Sequence, residues 1–192
     1  MFNAGPFSHT GIKMDYAASE DLSFMLALTN SHAITSADGN VGGEMQFGAQ
    51  VGYKGQYLNF IYGGVDGSGI TDNIFVDYTG GFDLSDSFFV GINAAYSNSS
   101  DADAGYQGAA LYLQNTFSDT FALGLRPEFF TYTSGTGDTS VTAFTLTANT
   151  ALTENLKLIT DLRFDNSDDF IIEAFPTEKS VSALTIAAVY SF

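Results

Sequence analysis

The chain has 192 residues and carries 22 acidic against 6 basic side chains, a formal net charge of −16. That length suits one domain with a full core, or one mid-sized barrel, and not two domains; the charge opposes nucleic-acid binding, which needs clustered Lys and Arg. No cysteine is present, which excludes disulfides, thiolate metal sites and a cysteine nucleophile, and 45% hydrophobic residues make the chain too apolar for disorder.

Residues Met1 to Thr10 have neither the basic region nor the apolar stretch of a secretory leader, so any such leader is expected to be absent already. No apolar run reaches the roughly 18–20 residues of a membrane helix; the longest plain one is Phe24-Met25-Leu26-Ala27-Leu28. A helical membrane protein is thereby excluded. A membrane β-barrel is not, since each of its strands needs only about 9–11 alternating residues.

Alternation of period two runs along the whole chain, cut by Gly, Asp, Ser and Asn. The apolar phase begins with Ile12, Met14 and Tyr16, then Leu22, Phe24, Leu26 and Leu28. Between residues 44 and 54, Met45, Phe47, Ala49, Val51 and Tyr53 alternate with Glu44, Gln46, Gly48, Gln50, Gly52 and Lys54. Leu58, Phe60 and Tyr62 follow, then Ile74, Val76, Tyr78 and Phe82, then Phe88, Val90, Ile92, Ala94 and Tyr96. Further stripes run from Ala109 to Phe117, Phe121 to Phe129, Phe144 to Leu152, Leu156 to Phe164 and Leu184 to Phe192. The pattern predicts an all-β, up-and-down antiparallel transmembrane β-barrel of eleven or twelve strands. It is read as a single domain over residues 1–192, with a lead-in over residues 1–7.

Short turns near residues 19–21, 55–56, 85–86, 118–120 and 153–155 alternate with longer connections at 30–43, 66–73, 98–105, 134–140 and 167–180. Short turns on one rim and long loops on the other is the pattern of outer-membrane barrels. The cations Lys13, Lys54, Arg126, Lys157 and Arg163 fall on the polar phase with Asp15, Glu44, Asp77, Glu128, Asp161 and Asp165. This near balance is what an enclosed lumen requires, and the two sets are expected to face one another across it. Gln46, Gln50, Asn93 and Tyr112 share that phase and are predicted to line the pore as well. Tyr16, Tyr53, Phe82, Phe88, Phe117, Phe121 and Phe192 sit beside the short-turn rim, and Tyr62, Tyr96 and Phe129 beside the other. Two such rings predict interfacial girdles.

Little else carries chemistry. His9 follows Ser8 and shares a phase with Asp15, but no hydrolase motif surrounds them; His32 reads as a solvated loop residue. The loops 66–69 and 101–105 lack the ligand series and closing Glu of a calcium loop. No catalytic residue, metal ligand or cofactor is assigned. Asp168, Asp169, Glu173 and Glu178 make the last long loop an acidic crown, which predicts a mild preference for cations.

The final stretch, Leu184-Thr185-Ile186-Ala187-Ala188-Val189-Tyr190-Ser191-Phe192, resembles the C-terminal strand recognised by outer-membrane assembly machinery. Gly5-Pro6-Phe7-Ser8-His9-Thr10-Gly11-Ile12-Lys13 with Asp21-Leu22-Ser23-Phe24 resembles the OmpL-like β-barrel porin family, of the porin-2 type. So does Gly108 to Leu113 continuing through Phe117-Ser118-Asp119 to Leu123-Gly124-Leu125-Arg126. The resemblance covers the C-terminal half or so of such porins. It implies a pore for small solutes in the bacterial outer membrane, with no catalytic residues to carry over. Pro127 departs from the pattern and suggests a bulge, and no Trp follows Thr29-Asn30. Barrels of this type have an even number of strands, so an odd count predicts either the C-terminal part of a larger barrel or a barrel completed by another chain.

The function expected is passive diffusion of small hydrophilic solutes, whose partners are membrane lipid, the polar solutes, and other envelope proteins or further copies. Two other readings compete. One is a non-conducting scaffold barrel with a lumen filled by Tyr57, Tyr112 and Arg side chains. The other is a soluble acidic β-sandwich, which would bury Phe47, Leu111 and Leu158 between stacked sheets.

Overall fold

The computed structural model describes residues 9–31, 43–65, 70–169 and 178–192. Eleven strands follow one another: β1 (Gly11–Ala17), β2 (Leu22–Asn30), β3 (Met45–Tyr53), β4 (Gln56–Val65), β5 (Ile70–Ser85), β6 (Phe88–Ser99), β7 (Ala104–Ser118), β8 (Phe121–Ser134), β9 (Thr139–Ala151), β10 (Leu156–Ser167) and β11 (Ser180–Tyr190). They form one antiparallel sheet in strict sequence order, the meander that the alternating pattern predicts. β1 and β11 stand at the two ends of that order; every residue of β1 is exposed, and so are all but one of β11. The chain divides into two compact units, one of residues up to 80 with 93–108 and 132–138, the other of 81–92, 109–131 and 139–192.

Burial runs opposite to that of a water-soluble sheet. In β3 of the first unit, Gln46 is 0% exposed and Gly48 is buried, while Phe47 between them is 45% exposed. In β9 of the second, Ala143 and Thr145 are buried while Phe144 and Leu146 are open. Buried apolar side chains among the described residues are Phe75, Ala110, Phe130 and Ala143. Four residues make no core for a chain of this size. Phe47 and Leu111 are exposed, Leu158 is half-exposed, and the strands belong to one sheet. The sandwich reading is thereby overturned. An outward apolar face is the arrangement that acyl chains, and not water, make favourable. Tyr16, Tyr53, Phe82, Phe117, Phe121 and Phe192 are exposed near the short turns, and Tyr62, Tyr96 and Phe129 farther along. Phe117 and Phe121 pack at 5.9 Å across one turn.

The turns refine the sequence boundaries. β3 and β4 are joined by Lys54-Gly55, with φ of 49° and 79°. Two successive positive φ values define the type I′ hairpin, whose twist matches that of the strands it joins. Lys54 therefore belongs to a turn and not to the polar phase of β3; its ammonium pairs with Asp21 at 3.6 Å and lies over the Tyr53 ring. The loops expected at 66–73, 98–105 and 134–140 are also drawn in, because strands continue through their polar residues: β5 already starts at Ile70, and 100–103 and 135–138 are what remain between β6 and β7 and between β8 and β9. β8 passes through Pro127 without ending.

β4 carries a register irregularity between Gly63 and Val65, with Gly63 at φ 140°. A Cβ at Gly63 would lie 2.3 Å from the Met45 carbonyl oxygen. Gly63→Ala is therefore expected to cost about 2 kcal/mol, through a backbone clash and a φ that L-residues avoid. The urea midpoint of the protein folded in lipid bilayers measures this; an unchanged midpoint would contradict the bulge geometry.

Candidate functional site

The polar face of each unit is built from residues two apart along a strand and directly opposite one another between strands. In the first unit the registers align Lys13, Ala27, Gly48, Ile61 and Phe75 as one row across β1 to β5. The neighbouring row is Asp15, Met25, Gln50, Asn59 and Asp77. Lys13 pairs with Asp15 at 3.1 Å. Gln50 Nε2 donates to Asn59 Oδ1 at 2.6 Å, and the Asn59 side chain in turn hydrogen-bonds Asp77. Gln46 Nε2 donates to the Gly64 carbonyl at 3.0 Å. Glu44 lies just before β3, not within it, with its side chain against Gly64. Asn93 Nδ2 donates to the Tyr78 carbonyl at 3.1 Å.

The second unit gathers the arginines. Arg163 forms a two-pronged contact with Asp165, Nε to Oδ2 at 2.9 Å and Nη2 to Oδ1 at 2.6 Å. Its Nη1 donates to Thr145 Oγ1 at 3.3 Å, and Nη2 is 3.8 Å from Glu128. Arg126 approaches Glu128 at 3.6 Å, donates to Thr145 at 3.4 Å and lies over the Tyr112 ring. Its Nε is buried without a hydrogen-bond acceptor among the described residues. Thr147 Oγ1 donates to Asp161 at 2.6 Å. Lys157 is on β10 and exposed.

A single motif recurs on the polar face: a cation followed two residues later by an acid, as Lys13/Asp15, Arg126/Glu128 and Arg163/Asp165. Positions i and i+2 share a face, so these ions pair along one strand. Arg163 in addition reaches Glu128 on another strand, at 3.8 Å. Thr145, Thr147 and Asn59 hold the charged groups in place and were missed in the sequence, although their position opposite the apolar phase is a readable signal. Ser8, His32, the loop 66–69, Glu173 and the lead-in 1–7 lie outside the described residues, and His9 is exposed just before β1.

At the loop end of β5, before the apolar stripe starts at Ile74, Asp72 anchors the β6–β7 connection. Its carboxylate accepts from Ser100 Oγ, from Ser99 Oγ at 2.8 Å, and from the amides of Ser100 at 3.1 Å and Asp101 at 3.3 Å. Asp101 itself accepts from the Thr71 amide and hydroxyl. The Ser100 hydroxyl first, then that of Ser99, pulls the Asp72 pKa down to about 2. A depressed carboxylate pKa means these bonds hold above the ordinary carboxylate range and fail only as pH falls through about 2. The loop is therefore expected to stay pinned from neutral pH to pH ~4. Asp72→Ala should lower hydrogen-exchange protection of the Asp101 amide about tenfold; unchanged protection would remove Asp72 from this role.

The family model described as "Putative beta-barrel porin-2, OmpL-like" matches residues 1–192, the whole chain. No curated protein matches it. An inverted apolar face, aromatic residues near the strand ends, a charged and hydrogen-bonded opposite face and a match over every residue lead to one conclusion: the chain belongs to the OmpL-like family of β-barrel porins, and that membership implies an outer-membrane, porin-type role.

Proposed function

We propose that the protein is a passive diffusion channel for small hydrophilic solutes, with the polar face of its strands lining the aqueous path. The carrying observation is the inversion of burial, with Gln46 enclosed and Phe47 open one residue later. A solute crossing beside such a face keeps water and polar groups around it and avoids the desolvation cost of the hydrocarbon core. The lining comprises Lys13, Asp15, Gln46, Gln50, Asp77, Asn93, Tyr112, Arg126, Glu128, Lys157, Asp161, Arg163 and Asp165, with Glu44 at its edge.

Purified protein in a planar lipid bilayer tests the reading. Steady, voltage-independent conductance is expected; its absence would favour the non-conducting scaffold. In the second unit Arg126, Lys157 and Arg163 balance Glu128, Asp161 and Asp165. Replacing Asp161 and Asp165 with Asn removes two negative charges, and the cation-to-anion permeability ratio should fall about twofold or more. An unchanged reversal potential would place these two acids away from the conducting path.

A further inference from the structure

Within the polar face of the first unit lies a cavity of about 330 Å³ that is not polar throughout. Its floor is the row Ala27, Gly48, Ile61 and Phe75, and Asn59 and Asp77 of the next row form one wall. The cause is a matter of side-chain size. Ala27 and Gly48 stand opposite each other between larger neighbours, Met25 and Gln50 in one row and Thr29 and Gln46 in the other, so the face has a trough where they sit. Phe75 on this face is 7% exposed. A second cavity of about 240 Å³ shares Ile61 and Phe75 and continues to Tyr106, whose ring lies 6.4 Å from that of Phe75.

Asp77 is the carboxylate beside this apolar floor. Its neighbour is the Asn59 amide, and among the described residues no cation comes within ion-pair distance of it. Lys13 and His9 line the same cavity from the β1 side, and the Lys13 ammonium is held there by Asp15. A carboxylate next to an aromatic ring and an aliphatic wall complements a cation attached to an apolar body. The carboxylate neutralises the charge, the ring faces attract it further, and the floor takes the hydrocarbon. The volume falls within the range of about 300–1,000 Å³ that small-molecule sites occupy. The chain's net charge of −16 raises the local concentration of such ions.

We propose that this trough is a binding site for small organic ammonium ions with an aromatic or aliphatic body, centred on Asp77, Phe75 and Ile61. The proposal rests on the diffusion reading only in making the trough a station on the solute path; binding itself does not require conduction. The test uses the full chain in lipid nanodiscs, with benzylammonium, benzyl alcohol and benzoate titrated by calorimetry or ligand-observed NMR. Benzylammonium should bind about tenfold more tightly than either comparator. Asp77→Asn preserves shape and the contact with Asn59, and should weaken benzylammonium about tenfold while leaving benzyl alcohol unchanged. Ala27→Leu, which fills the trough, should weaken both. In bilayers the same cation should reduce potassium current through the natural chain but not through Asp77→Asn. Equal binding of benzoate and benzylammonium, or no effect of Asp77→Asn, overturns the proposal. Conductance without selective binding leaves the channel and removes the site; selective binding without conductance leaves the site and removes the channel.

Discussion

Arg163→Ala is expected to destabilise the folded protein by about 3 kcal/mol, because it takes the cation away from a half-buried and a buried carboxylate instead of merely deleting a contact. The guanidinium bonds both oxygens of Asp165, donates to Thr145 and stands 3.8 Å from Glu128, whose side chain is 8% exposed. Without it, Asp165 loses its cation and Glu128 loses one of its cationic neighbours, while Arg126 stays at 3.6 Å. Arg163→Lys keeps the charge but not the planar fork and should cost about half as much. The double variant Arg163→Ala, Asp165→Ala should recover part of the loss, since one stranded charge is removed with its partner. Urea unfolding in lipid vesicles, followed by heat-modifiable gel mobility, measures all three. A loss below about 0.5 kcal/mol for Arg163→Ala would show that water on this face screens the pairs as it does on an ordinary surface.

The second large effect separates the two faces of one strand. Leu162 lies in the row Leu146, Leu162, Leu184 on the apolar face of β10, whereas Ile159, three residues earlier, stands opposite Asn149 and Ala187 on the polar face. Leu162→Arg should cost about 2–4 kcal/mol in a bilayer, the penalty for a charge facing acyl chains near the midplane. Ile159→Arg should cost less than about 1 kcal/mol, because its charge reaches water and the acids nearby. Were the apolar face in water, the exposed Leu162 would tolerate arginine freely. Comparable costs at the two positions would contradict the assignment of faces.

Both experiments depend on features that differ in how far they can be read without coordinates. The phase of each strand is local: Phe47 and Gln46 differ by one position, and alternation alone places them on opposite sides. The strand count, the order of the meander and the aromatic positions near the turns follow for the same reason. Lys54 was misplaced because alternation continues formally through a two-residue turn; only the positive φ of Lys54 and Gly55 shows that the strand has ended. The loops expected at 66–73 and 98–105 extend too far because Thr71 and Ser99 look like loop residues, yet hydrogen bonds to Asp101 and Asp72 keep them within or beside the ladder.

Which residues lie on each face follows from the linear order alone, because a two-residue period needs nothing else. Tertiary structure alone decided which side chains share a row, because register depends on the turns and on the irregularity at Gly63, and a shift of one residue would exchange every partner. Thus the apolar row of Ala27, Gly48, Ile61 and Phe75 beside Asp77, and the meeting of Arg163 with Glu128, are invisible in the linear pattern.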